Sequence, residues 1–517
     1  MNQLRARWLG RVPYSEALAL QRAIHARSDD DYLLLLEHPH TYTLGTRADP
    51  AHVLVAPESV GAELVVTDRG GDVTYHGPGQ LVGYPVGELA MSPAGMRDVV
   101  AHVRRIEAAL IEALAEFGIA GERVDGRSGV WVRHDETVDK IAAIGVRVAR
   151  GRTMHGFALN VDCDLTMFDH IVPCGITDAG VTSMASVLDR APAMADVVDA
   201  VTRAWARATR RLTVETAAVS TTRVDEPEGV GPGRRPEWMK VKVDLGSEYR
   251  ELKRLVQSQE LHTVCEEAAC PNIYECWSQR TATFMILGDR CTRACGFCLV
   301  DTRKPFPIDI DEPRRVADAV ATLGLAHAVI TSVARDDVPD GGAAGFAATI
   351  RAVRDRNPET TIEVLIPDCK GDADALGVIF DAHPDVLNHN LETVARLQRL
   401  ARPSAGYARS LALLARSKDA GLVTKSGIIL GMGEELDEVR AAIVDLRAVG
   451  VDILTLGQYL QPSPAHLPVA RWVPPSGFDE LATYARMLGF AHVESGPLVR
   501  SSYHARAGAD AALPVPA

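Results

Sequence analysis

Cys291-Thr-Arg-Ala-Cys295-Gly-Phe-Cys298 places three thiols within one short stretch of the chain. A second triplet precedes this stretch, with the spacing Cys265-x4-Cys270-x5-Cys276. Two triplets favour iron–sulfur clusters, because a 4Fe-4S cube has four irons and each takes one outside ligand. Three thiolates therefore leave one iron open to bind something else, and that open iron is where chemistry can take place.

Zinc and disulfides are the other interpretations of these cysteines. Structural zinc prefers paired C-x2-C spacing with four protein ligands, which two triplets supply only through a rearranged four-thiolate site. Six of the nine cysteines belong to the triplets, and this usage indicates a reducing compartment rather than a disulfide framework. Cys369 is a further candidate ligand, although its position after a predicted strand is more typical of a packing residue.

The second triplet resembles the cluster loop of the radical S-adenosylmethionine (SAM) enzymes. This resemblance implies that the open iron chelates SAM, and that an electron from the cluster cleaves the sulfonium to give a radical that abstracts hydrogen from the substrate. The first triplet, in Cys265-Glu-Glu-Ala-Ala-Cys270-Pro-Asn-Ile-Tyr-Glu-Cys276-Trp, and the later motif Arg500-Ser501-Ser502-Tyr503 are similar to those of lipoyl synthases. The similarity covers about residues 238 to 505.

The resemblance to lipoyl synthases implies two 4Fe-4S clusters with different roles, and SAM as a further cofactor. The implied iron ligands are Cys291, Cys295 and Cys298 for the cluster that binds SAM, and Cys265, Cys270, Cys276 and Ser502 for an auxiliary cluster. The family consumes its auxiliary cluster as the source of sulfur. Serine is a harder and less acidic ligand than a thiolate, so it suits an iron that must be released.

Six apolar runs rich in β-branched residues alternate with helical patterns after the first triplet. They span residues 281–287, 328–333, 361–366, 386–390, 423–430 and 452–456. Strands that alternate with helices predict a parallel sheet, here an α/β partial (β/α)6 barrel of radical SAM type within residues 237–517.

Polar residues follow each run at its carboxyl end, which is where barrel enzymes place their active sites. The cysteine loop follows the first run. The residues after the other five are Arg335, Asp336 and Asp337; Asp368; Asn388, His389, Asn390 and Glu392; residues 431–435; and Gln458 and Gln461. We expect these groups to gather at one end of the barrel.

Residues 1–216 show a different pattern, typical of an α+β domain. Runs at 31–36, 63–67, 129–133, 141–148 and 154–161 predict strands, several of them near enough in sequence for antiparallel pairing. Residues 98–117 predict an amphipathic helix and residues 194–210 a second helix. In the first helix we expect Val99, Val103, Ile106, Leu110, Ala113, Leu114 and Phe117 to face inward, and Arg104, Glu107 and Glu112 to face outward.

Three stretches of this half contain candidate catalytic and binding residues: Arg69-Gly-Gly-Asp-Val-Thr-Tyr-His76-Gly-Pro-Gly-Gln80, Lys140-Ile-Ala-Ala-Ile-Gly145 and Ile171-Val-Pro-Cys174-Gly175. Together they resemble lipoyl(octanoyl) transferases, relatives of the biotin and lipoate protein ligases, and this implies a domain of the biotin/lipoyl protein ligase type. The resemblance implies Cys174 and Lys140 as catalytic residues. The implied substrate-binding residues are Arg69, Gly70, Gly71, Asp72, Val73, Thr74, Tyr75, His76, Ala143, Ile144, Gly145, Gly156, Phe157 and Ala158.

Acyl transfer explains why a cysteine and a lysine would be paired. A free thiol with a pKa of about 8.5 is mostly protonated at neutral pH, and a nearby ammonium favours the thiolate that attacks a thioester. We expect Lys140 to be that cation, and to pass protons to the leaving group and from the incoming amine. No obvious general-base histidine stands next to Cys174 in the sequence, so a Cys-Lys pair is preferred over a Cys-His pair.

The two resemblances predict a fusion of consecutive steps of lipoate assembly. Residues 1–216 would move an octanoyl chain through a Cys174 thioester to a lysine of a lipoyl domain, and residues 237–517 would insert sulfur at carbons 6 and 8. The implied partners are octanoyl-acyl carrier protein, lipoyl domains of 2-oxoacid dehydrogenase or glycine cleavage proteins, and an electron donor. The alternatives are a lipoyl synthase whose first half only docks carrier domains, and a chain that is a non-enzymatic iron–sulfur or zinc protein.

Composition and charge limit the class of protein further. The chain has 517 residues, 47% of them hydrophobic, so it can bury more than one core. Its formal net charge of -13 argues against nucleic acid or an anionic membrane as a partner, because phosphates bind clustered Lys and Arg. The first eleven residues lack an apolar signal core and no apolar run is long enough to span a membrane, so we expect a cytoplasmic protein.

Residues 217–236 have neither helical nor strand periodicity and contain six Gly or Pro residues, which predicts a flexible linker. A flexible segment of this length has an r.m.s. span of roughly 25 Å. The predicted domains are therefore 1–216 and 237–517, tethered without a fixed orientation.

Overall fold

The computed structural model describes residues 3–89, 97–134, 137–175, 178–211, 213–220, 234–240, 246, 250, 253–254, 261–263, 272–273 and 283–513, without the side chains of His134 and Cys174. The chain divides into two compact units, Met1–Val219 and Ser220–Ala517. The three cysteines of the first triplet, Cys265, Cys270 and Cys276, lie outside the described residues, as do residues 221–233 of the predicted linker. Among the helices described, none combines the length and the apolar character that crossing a lipid bilayer requires.

The first unit contains the following elements. Its strands are β1 (Leu4–Arg11), β2 (Asp31–Glu37), β3 (Thr41–Leu44), β4 (Glu63–Val66), β5 (Val73–His76), β6 (Gln80–Val86), β7 (Gly121–Val124), β8 (Arg127–His134), β9 (Thr137–Ala149), β10 (Arg152–Asn160) and β11 (Val214–Ala218). Its described α-helices are α1 (Tyr14–Arg27), α2 (Val99–Ala115), α3 (Met184–Leu188) and α4 (Met194–Ala208).

Eight of these strands form a mixed sheet in the order β11-β1-β2-β6-β10-β9-β8-β7, and β4-β3-β5 form a smaller sheet. β8, β9 and β10 are antiparallel neighbours, which confirms the pairing predicted for the runs at 129–133, 141–148 and 154–161. Apolar side chains of α2 and α4, such as Ile106 and Val201, pack with those of the large sheet in one core. The α+β class predicted for this half is confirmed.

Helix α2 departs from the predicted pattern at two positions. Ile106, Leu110, Ala113 and Leu114 are buried as predicted. The prediction that Glu107 faces outward is wrong, because Glu107 is fully buried and its carboxylate accepts hydrogen bonds from Arg104 and Arg123 side chains and from the Gly129 N–H. Val99 was predicted to face inward, but it lies in the first turn, where 42% of it is exposed.

The second unit contains these described elements. Its strands are β12 (His262–Thr263), β13 (Thr283–Ile286), β14 (His327–Ser332), β15 (Thr361–Leu365), β16 (Val386–Asn388), β17 (Val423–Leu430), β18 (Ile453–Gln458) and β19 (His492–Ser495). Its α-helices are α5 (Glu312–Leu323), α6 (Ala343–Arg356), α7 (Ala373–Phe380), α8 (Gln398–Ala401), α9 (Tyr407–Asp419), α10 (Leu436–Ala448), α11 (Pro475–Met487) and α12 (Ala505–Ala512).

Strands β13 to β19 run parallel in chain order, and β12 pairs with β13 in the antiparallel direction. The six predicted strands correspond to β13 to β18, so the parallel sheet of a partial barrel is confirmed. The prediction missed β12 and β19, which are short and carry the polar residues His262, His492 and Glu494. Such runs have no apolar pattern to mark them. The parallel order brings the carboxyl ends of all seven strands to one edge of the sheet.

Candidate active sites

In the first unit, β9, β10 and the glycine-rich loop surround a cavity of about 420 Å³. Residues 143–145 of β9 pair in register with residues 156–158 of β10, and both sets line the cavity. β8 pairs with β9 only as far as Ala142. After Ala142, no strand of the described residues pairs with β9 on the side opposite β10. The backbone of β9 there faces the cavity and the glycine-rich loop.

The glycine-rich loop, residues 69–72, is fixed between β3 and β9. The Gly70 N–H donates to the Val146 carbonyl at 3.0 Å. The buried Arg69 guanidinium donates from Nη2 to the Thr43 carbonyl at 2.6 Å. Gly71 has a φ of 101°, a left-handed conformation that favours glycine. The loop is thus a rigid wall of the cavity.

Strand β5 divides its predicted substrate residues between two faces. Thr74 and His76 line the cavity, whereas Val73 and Tyr75 pack in a small apolar core, because side chains alternate along a strand. His76 Nδ1 lies 2.8 Å from Gln80 Oε1, and burial holds the pKa of His76 well below its usual range. The imidazole is therefore neutral. The structure brings all the other predicted substrate residues together around the cavity.

Lys140 reaches the same cavity from β9. Its side chain is buried, with Nζ 4.6 Å from the centroid of the Trp131 ring. Its N–H donates to the Gly180 carbonyl and its carbonyl accepts from the Thr182 N–H, so its backbone is fixed by the segment 180–182. Among the described residues no carboxylate pairs with this ammonium, which leaves its charge available to a thiolate or to a substrate.

Cys174 lies in a short 3-10 turn, Pro173–Gly175. The Val172 N–H donates to the His52 carbonyl at 2.8 Å, so the approach to this turn is tied to residues 50–53. A Cβ atom on Gly175 would lie 3.0 Å from Asp72 Oδ2. Asp72 also lines the cavity, and the turn that carries Cys174 therefore lies beside the site that contains Lys140.

A histidine lies beside this turn, which inspection of the neighbouring sequence does not suggest. His52 Nδ1 lies 2.5 Å from Asp72 Oδ2, and His52 Cε1 would be 3.4 Å from a Cβ atom on Gly175. His52 is separated from Cys174 by more than a hundred residues. Only the pairing of residues 50–53 with the segment before the turn brings them together.

Three further aromatic residues of the cavity, Tyr14, Tyr84 and His155, were not predicted. His155 lies within β10 with a φ of 57°, an unusual value for a residue other than glycine. Burial lowers the pKa of His155, against the opposite effect of Asp68 Oδ1 at 2.7 Å from its Nε2. His155 is a lone histidine within an otherwise apolar run, and this pattern could have identified it as a candidate site residue.

In the second unit, a cavity of about 580 Å³ opens at the carboxyl ends of the parallel strands. Cys291, Cys295 and Cys298 all line it. Cys291 Sγ accepts hydrogen bonds from the N–H groups of Arg293 and Ala334, each at 3.4 Å. Burial raises the pKa of the Cys295 thiol to about 12, so a bound cation is needed to hold a thiolate there.

The polar residues predicted at the strand ends have two kinds of surroundings. His389, Asn390, Glu392, Gln458 and Gln461 line the same cavity as the cysteines. The others fix loops: for example, Arg335 donates to Asp337, and the Glu434 carboxylate accepts from the N–H groups of Gly431 and Met432.

Three family models match the chain. Residues 13–206 match the lipoyl protein ligase A/B catalytic domain, and residues 285–446 match the radical SAM superfamily. Residues 186–270 match the N-terminal domain of lipoyl synthase of the radical SAM family.

Curated relatives match the second part of the chain. A lipoyl synthase of Mycobacterium ulcerans is 58% identical over 272 residues, which are 53% of this chain and 84% of that protein. A lipoyl synthase of Mycobacterium tuberculosis is 57% identical over 272 residues, or 53% of this chain and 88% of that protein. The chain belongs to the lipoyl synthase family. It joins a lipoyl protein ligase-like domain to a lipoyl synthase, which combines two functions of lipoate biosynthesis in one polypeptide.

Two solved structures resemble parts of this lipoyl synthase family member. A bi-partite lipoate protein ligase of Thermoplasma acidophilum covers 43% of this chain and 89% of its own, at 18% identity and a TM-score of 0.34. SuiB of Streptococcus suis bound to S-adenosylmethionine matches 43% of this chain and 53% of its own chain, at 8% identity and a TM-score of 0.35.

Radical SAM lipoyl synthases use 4Fe-4S clusters and SAM, and the second triplet of this family member fits such a cluster. Its three thiols line one cavity, where Arg402, Glu392 and Gln458 supply polar groups for a zwitterionic ligand. The described residues contain no group of three His, Cys, Asp or Glu side chains gathered around a single metal ion. A cubane does not require that geometry, because each thiolate binds a separate iron.

Ser502 lies in the described turn before α12, and it is partly exposed. The first triplet of this lipoyl synthase lies outside the described residues, but Asn272, two residues after Cys270, is described. Asn272 Nδ2 donates to the Leu498 carbonyl at 2.7 Å. This bond joins the segment that carries the first triplet to the chain four residues before Ser502.

Proposed function

We propose that residues 1–216 transfer an octanoyl group from acyl carrier protein to a lysine of a lipoyl domain, and that residues 237–517 then insert two sulfur atoms at carbons 6 and 8. One observation supports the transfer most directly. Lys140, the glycine-rich loop and the paired residues of β9 and β10 line one cavity beside the turn that carries Cys174. The same chain continues into a lipoyl synthase, whose substrate is the product of that transfer.

The first reaction proceeds by two acyl transfers. The Cys174 thiolate attacks the carbonyl carbon of the octanoyl thioester, the carrier thiol leaves with a proton, and an octanoyl-Cys174 thioester remains. The ε-amine of the acceptor lysine then attacks this thioester, and the Cys174 thiol leaves as the amide forms. Lys140 is the group we assign to accept the Cys174 proton and pass it to the leaving carrier thiol, and then to take a proton from the attacking amine and pass it to the leaving Cys174 thiol.

The cavity supports these steps physically. The Lys140 ammonium is buried against Trp131 and has no carboxylate partner among the described residues, so its charge favours a neighbouring thiolate. His76 is neutral and adds no competing charge. The aromatic rings of Tyr14, Tyr84 and Phe157 provide apolar surface for an eight-carbon chain.

The second reaction takes place in the cavity of the second unit. The cluster held by Cys291, Cys295 and Cys298 would supply the electron that cleaves SAM, and the cluster held by Cys265, Cys270, Cys276 and Ser502 would supply sulfur. Arg402 donates to the Asn390 and Leu391 carbonyls, which fixes its guanidinium at the cavity. Burial raises the pKa of Glu392 against the opposing effect of Arg402, so the surroundings of this carboxyl are sparsely solvated. We assign these two groups to orient polar parts of a ligand.

The partners follow from the two reactions: octanoyl-acyl carrier protein, lipoyl domains of 2-oxoacid dehydrogenase or glycine cleavage proteins, and an electron donor. A reducing, cytoplasmic location accords with this proposal, because the triplet cysteines must remain free of disulfides to bind iron.

Substitution of Cys174 tests the proposal. We expect Cys174→Ala to abolish octanoyl transfer to a lipoyl domain and to leave sulfur insertion into a pre-octanoylated domain intact, as measured by intact mass. Cys163→Ala is the matched control, because Cys163 is the other cysteine of the first unit and burial raises the pKa of its thiol to about 12. Transfer at the normal rate by Cys174→Ala would exclude the covalent route. No octanoyl transfer by the native chain, with no trapped octanoyl-Cys174, would favour a first half that only docks carriers.

A further inference from the structure

Arg293 lies between two of the cysteines of the second triplet and is bound to two carboxylates. Its Nε donates to Asp336 Oδ2 at 2.7 Å, and its Nη2 donates to Asp336 Oδ1 at 2.8 Å and to Asp368 Oδ1 at 2.6 Å. The Arg293 side chain is 7% exposed and that of Asp368 is 0% exposed. The guanidinium therefore binds Asp336, whose side chain is 22% exposed, through two N–H groups, and it also donates to the fully buried Asp368.

The two carboxylates come from neighbouring strands of the barrel. Asp336 follows β14 and Asp368 follows β15. Both are held by further bonds: Asp368 Oδ1 accepts from the Lys370 N–H at 3.0 Å, and Lys370 Nζ donates to the Asp336 carbonyl at 2.9 Å. Arg409 Nη1 lies 3.7 Å from Asp368 Oδ2. The two carboxylates that receive Arg293 are thus carried by the segments that follow β14 and β15, and Lys370 ties these segments to each other.

Thr292, next to Arg293, fastens the same part of the loop to the same strand end. Its N–H and its Oγ1 both donate to the Ala334 carbonyl, at 3.0 and 2.9 Å. Its Oγ1 also accepts from the Asp336 N–H at 3.0 Å. The first two residues after Cys291 therefore have bonds to the end of β14, and through Asp368 to the end of β15.

Stability alone does not account for this arrangement. A buried ion pair costs most of its Coulomb energy in desolvation, and apolar residues of similar volume often stabilise a fold as well or better. Its particular contribution is geometric, because a planar fork bound by two carboxylates fixes both the position and the orientation of the backbone that carries it. A 4Fe-4S cluster needs three thiolates at fixed positions, one for each of three irons, so the backbone that carries them must be held in one geometry.

We propose that Arg293 is a positioning residue for the cluster. The brace formed by Arg293, Asp336 and Asp368 holds the loop from Cys291 to Cys295 in its cluster-binding arrangement before iron enters. Arg293 does not bind iron, and it acts through the cysteines on either side of it. The loop is consequently set by the barrel and not by the metal.

The test measures iron uptake as well as activity. In a full-length chain with Cys265, Cys270 and Cys276 changed to Ala, iron and sulfide report the second triplet alone. We expect Arg293→Met to need an iron concentration about tenfold or more higher for the same iron uptake in anaerobic reconstitution, which is the loss of metal affinity typical when groups that orient metal ligands are removed. Arg293→Lys should be intermediate, because an ammonium retains the charge but not the fork. Arg303→Met is the control, since Arg303 is an exposed arginine nearby that pairs with Asp301.

The electron paramagnetic resonance signal of the reduced cluster, with and without SAM, provides a second readout. In Arg293→Met we expect a broadened signal that responds less to SAM, with the thermal midpoint of unfolding within a few degrees of the parent. Iron uptake and a signal equal to those of the parent would overturn the proposal. If Arg293→Met does not fold, the test rests on Arg293→Lys. Normal iron uptake by Arg293→Lys would show that the planar guanidinium is not required, and would overturn the proposal. A parent chain that binds no iron at the second triplet would instead contradict the cluster assignment itself.

Discussion

Lys140 is the only lysine among residues 1–219, which otherwise carry arginine at their basic positions. The two side chains differ in the chemistry that acyl transfer needs. Arginine stays protonated in proteins, whereas a lysine in a buried site can give up and regain a proton. Among the lysine and arginine side chains of residues 1–219, Lys140, with Nζ on the face of Trp131, is therefore the one able to combine a positive charge with proton transfer.

Two substitutions of Lys140 separate these roles. We expect Lys140→Arg to retain rapid alkylation of Cys174 by iodoacetamide, because a cation still favours the thiolate, while octanoyl transfer falls about 10²-fold or more for want of a proton carrier. Lys140→Met should lose both. Alkylation is assigned by peptide mass, and transfer by the mass of the lipoyl domain.

Arg133→Met is the control for a lost positive charge, because Arg133 is an exposed residue of β8 that pairs with Glu122. Wild-type transfer by Lys140→Arg would show that Lys140 acts only through its charge. Normal alkylation in Lys140→Met would show that it does not favour the thiolate at all.

Buried charge also explains where sequence patterns failed at single positions. Glu107 was predicted to face solvent because a carboxylate is rarely buried, yet Arg104, Arg123 and the Gly129 N–H satisfy it. Those partners come from α2, from β7 and from the start of β8, so they are not visible in the periodicity of one helix. In the same way, His52 meets the turn of Cys174 only through tertiary pairing.

At the scale of elements, the sequence predicted most where one periodicity runs without interruption. The run at 423–430 coincides with β17, and the run at 361–366 differs from β15 by one residue. Prediction was weaker where an element is short. β19 pairs in parallel with β18 from His492 to Ser495, but its four residues include His492, Glu494 and Ser495, so only the neighbouring strand defines it.

The interior of the barrel contains an ion pair that joins two strands. Lys425 Nζ of β17 lies 2.9 and 3.1 Å from the two carboxylate oxygens of Glu363 of β15, and both side chains are at most 1% exposed. We expect Lys425→Met to lower the free energy of unfolding of the second unit by about 3–5 kcal/mol, because it removes the lysine counter-charge of a buried carboxylate and leaves only His327 Nε2, at 3.6 Å, beside it. Chemical denaturation followed by circular dichroism measures this.

The double variant Glu363→Leu/Lys425→Met should recover most of the loss, since neither charge remains. Arg440→Met, which removes surface ion pairs with Asp437 and Glu480, is the control and should cost less than about 1 kcal/mol. Burial raises the pKa of Glu363, but Lys425 and His327 outweigh it and the pKa is lowered overall. The pair therefore stabilises the fold above the pKa of an unfolded carboxyl, and its contribution is lost as the pH falls through the lowered value. A double variant no more stable than Lys425→Met would contradict this explanation.

The two cysteine triplets should be separable as elements. We expect replacement of Cys291, Cys295 and Cys298 by Ala to abolish SAM cleavage, because no open iron remains to bind SAM. Replacement of Cys265, Cys270 and Cys276 should retain some SAM cleavage and yield no sulfur on the octanoyl chain. The measurements are 5′-deoxyadenosine and the mass of the lipoyl domain.

Ser502→Ala should have the same effect as replacing the first cysteine triplet: some SAM cleavage and no sulfur on the octanoyl chain. Ser476→Ala, which changes an exposed serine of α11, should leave the yields of 5′-deoxyadenosine and of lipoyl product unchanged. The bond from Asn272 to Leu498 already links the two segments that this prediction joins. Lipoyl product from the chain that lacks Cys265, Cys270 and Cys276 would show that the sulfur comes from elsewhere.

For the whole molecule, the two units are separate bodies with their own cores. Residues such as Leu110 and Val201 build one core, and residues such as Phe284 and Phe346 build the other. Strand β11 continues to Ala218 and pairs with β1, and the Val219 N–H donates to the Trp8 carbonyl, so the first unit includes three residues of the segment predicted as linker. The Gly and Pro content predicts a linker at residues 217–236, and the sequence gives no clear signal for β11, since this strand is a short run with little apolar character.

Tethering then becomes a matter of effective concentration. We expect residues 1–219 and 234–517, expressed separately, to fold and to keep octanoyl transfer and sulfur insertion respectively. Mixed together, they should match the intact chain when the lipoyl domain is abundant. At low lipoyl-domain concentration the mixture should be slower, because a tether of roughly 25 Å gives the second site an effective concentration in the millimolar range that free units lack. A chain in which residues 221–233 are replaced by Gly and Ser at equal length should behave like the native one, since only the reach of the tether matters. Equal rates for the mixture and the intact chain at every lipoyl-domain concentration would show that the fusion serves no kinetic purpose, and insoluble separate units would show that each needs the other to fold.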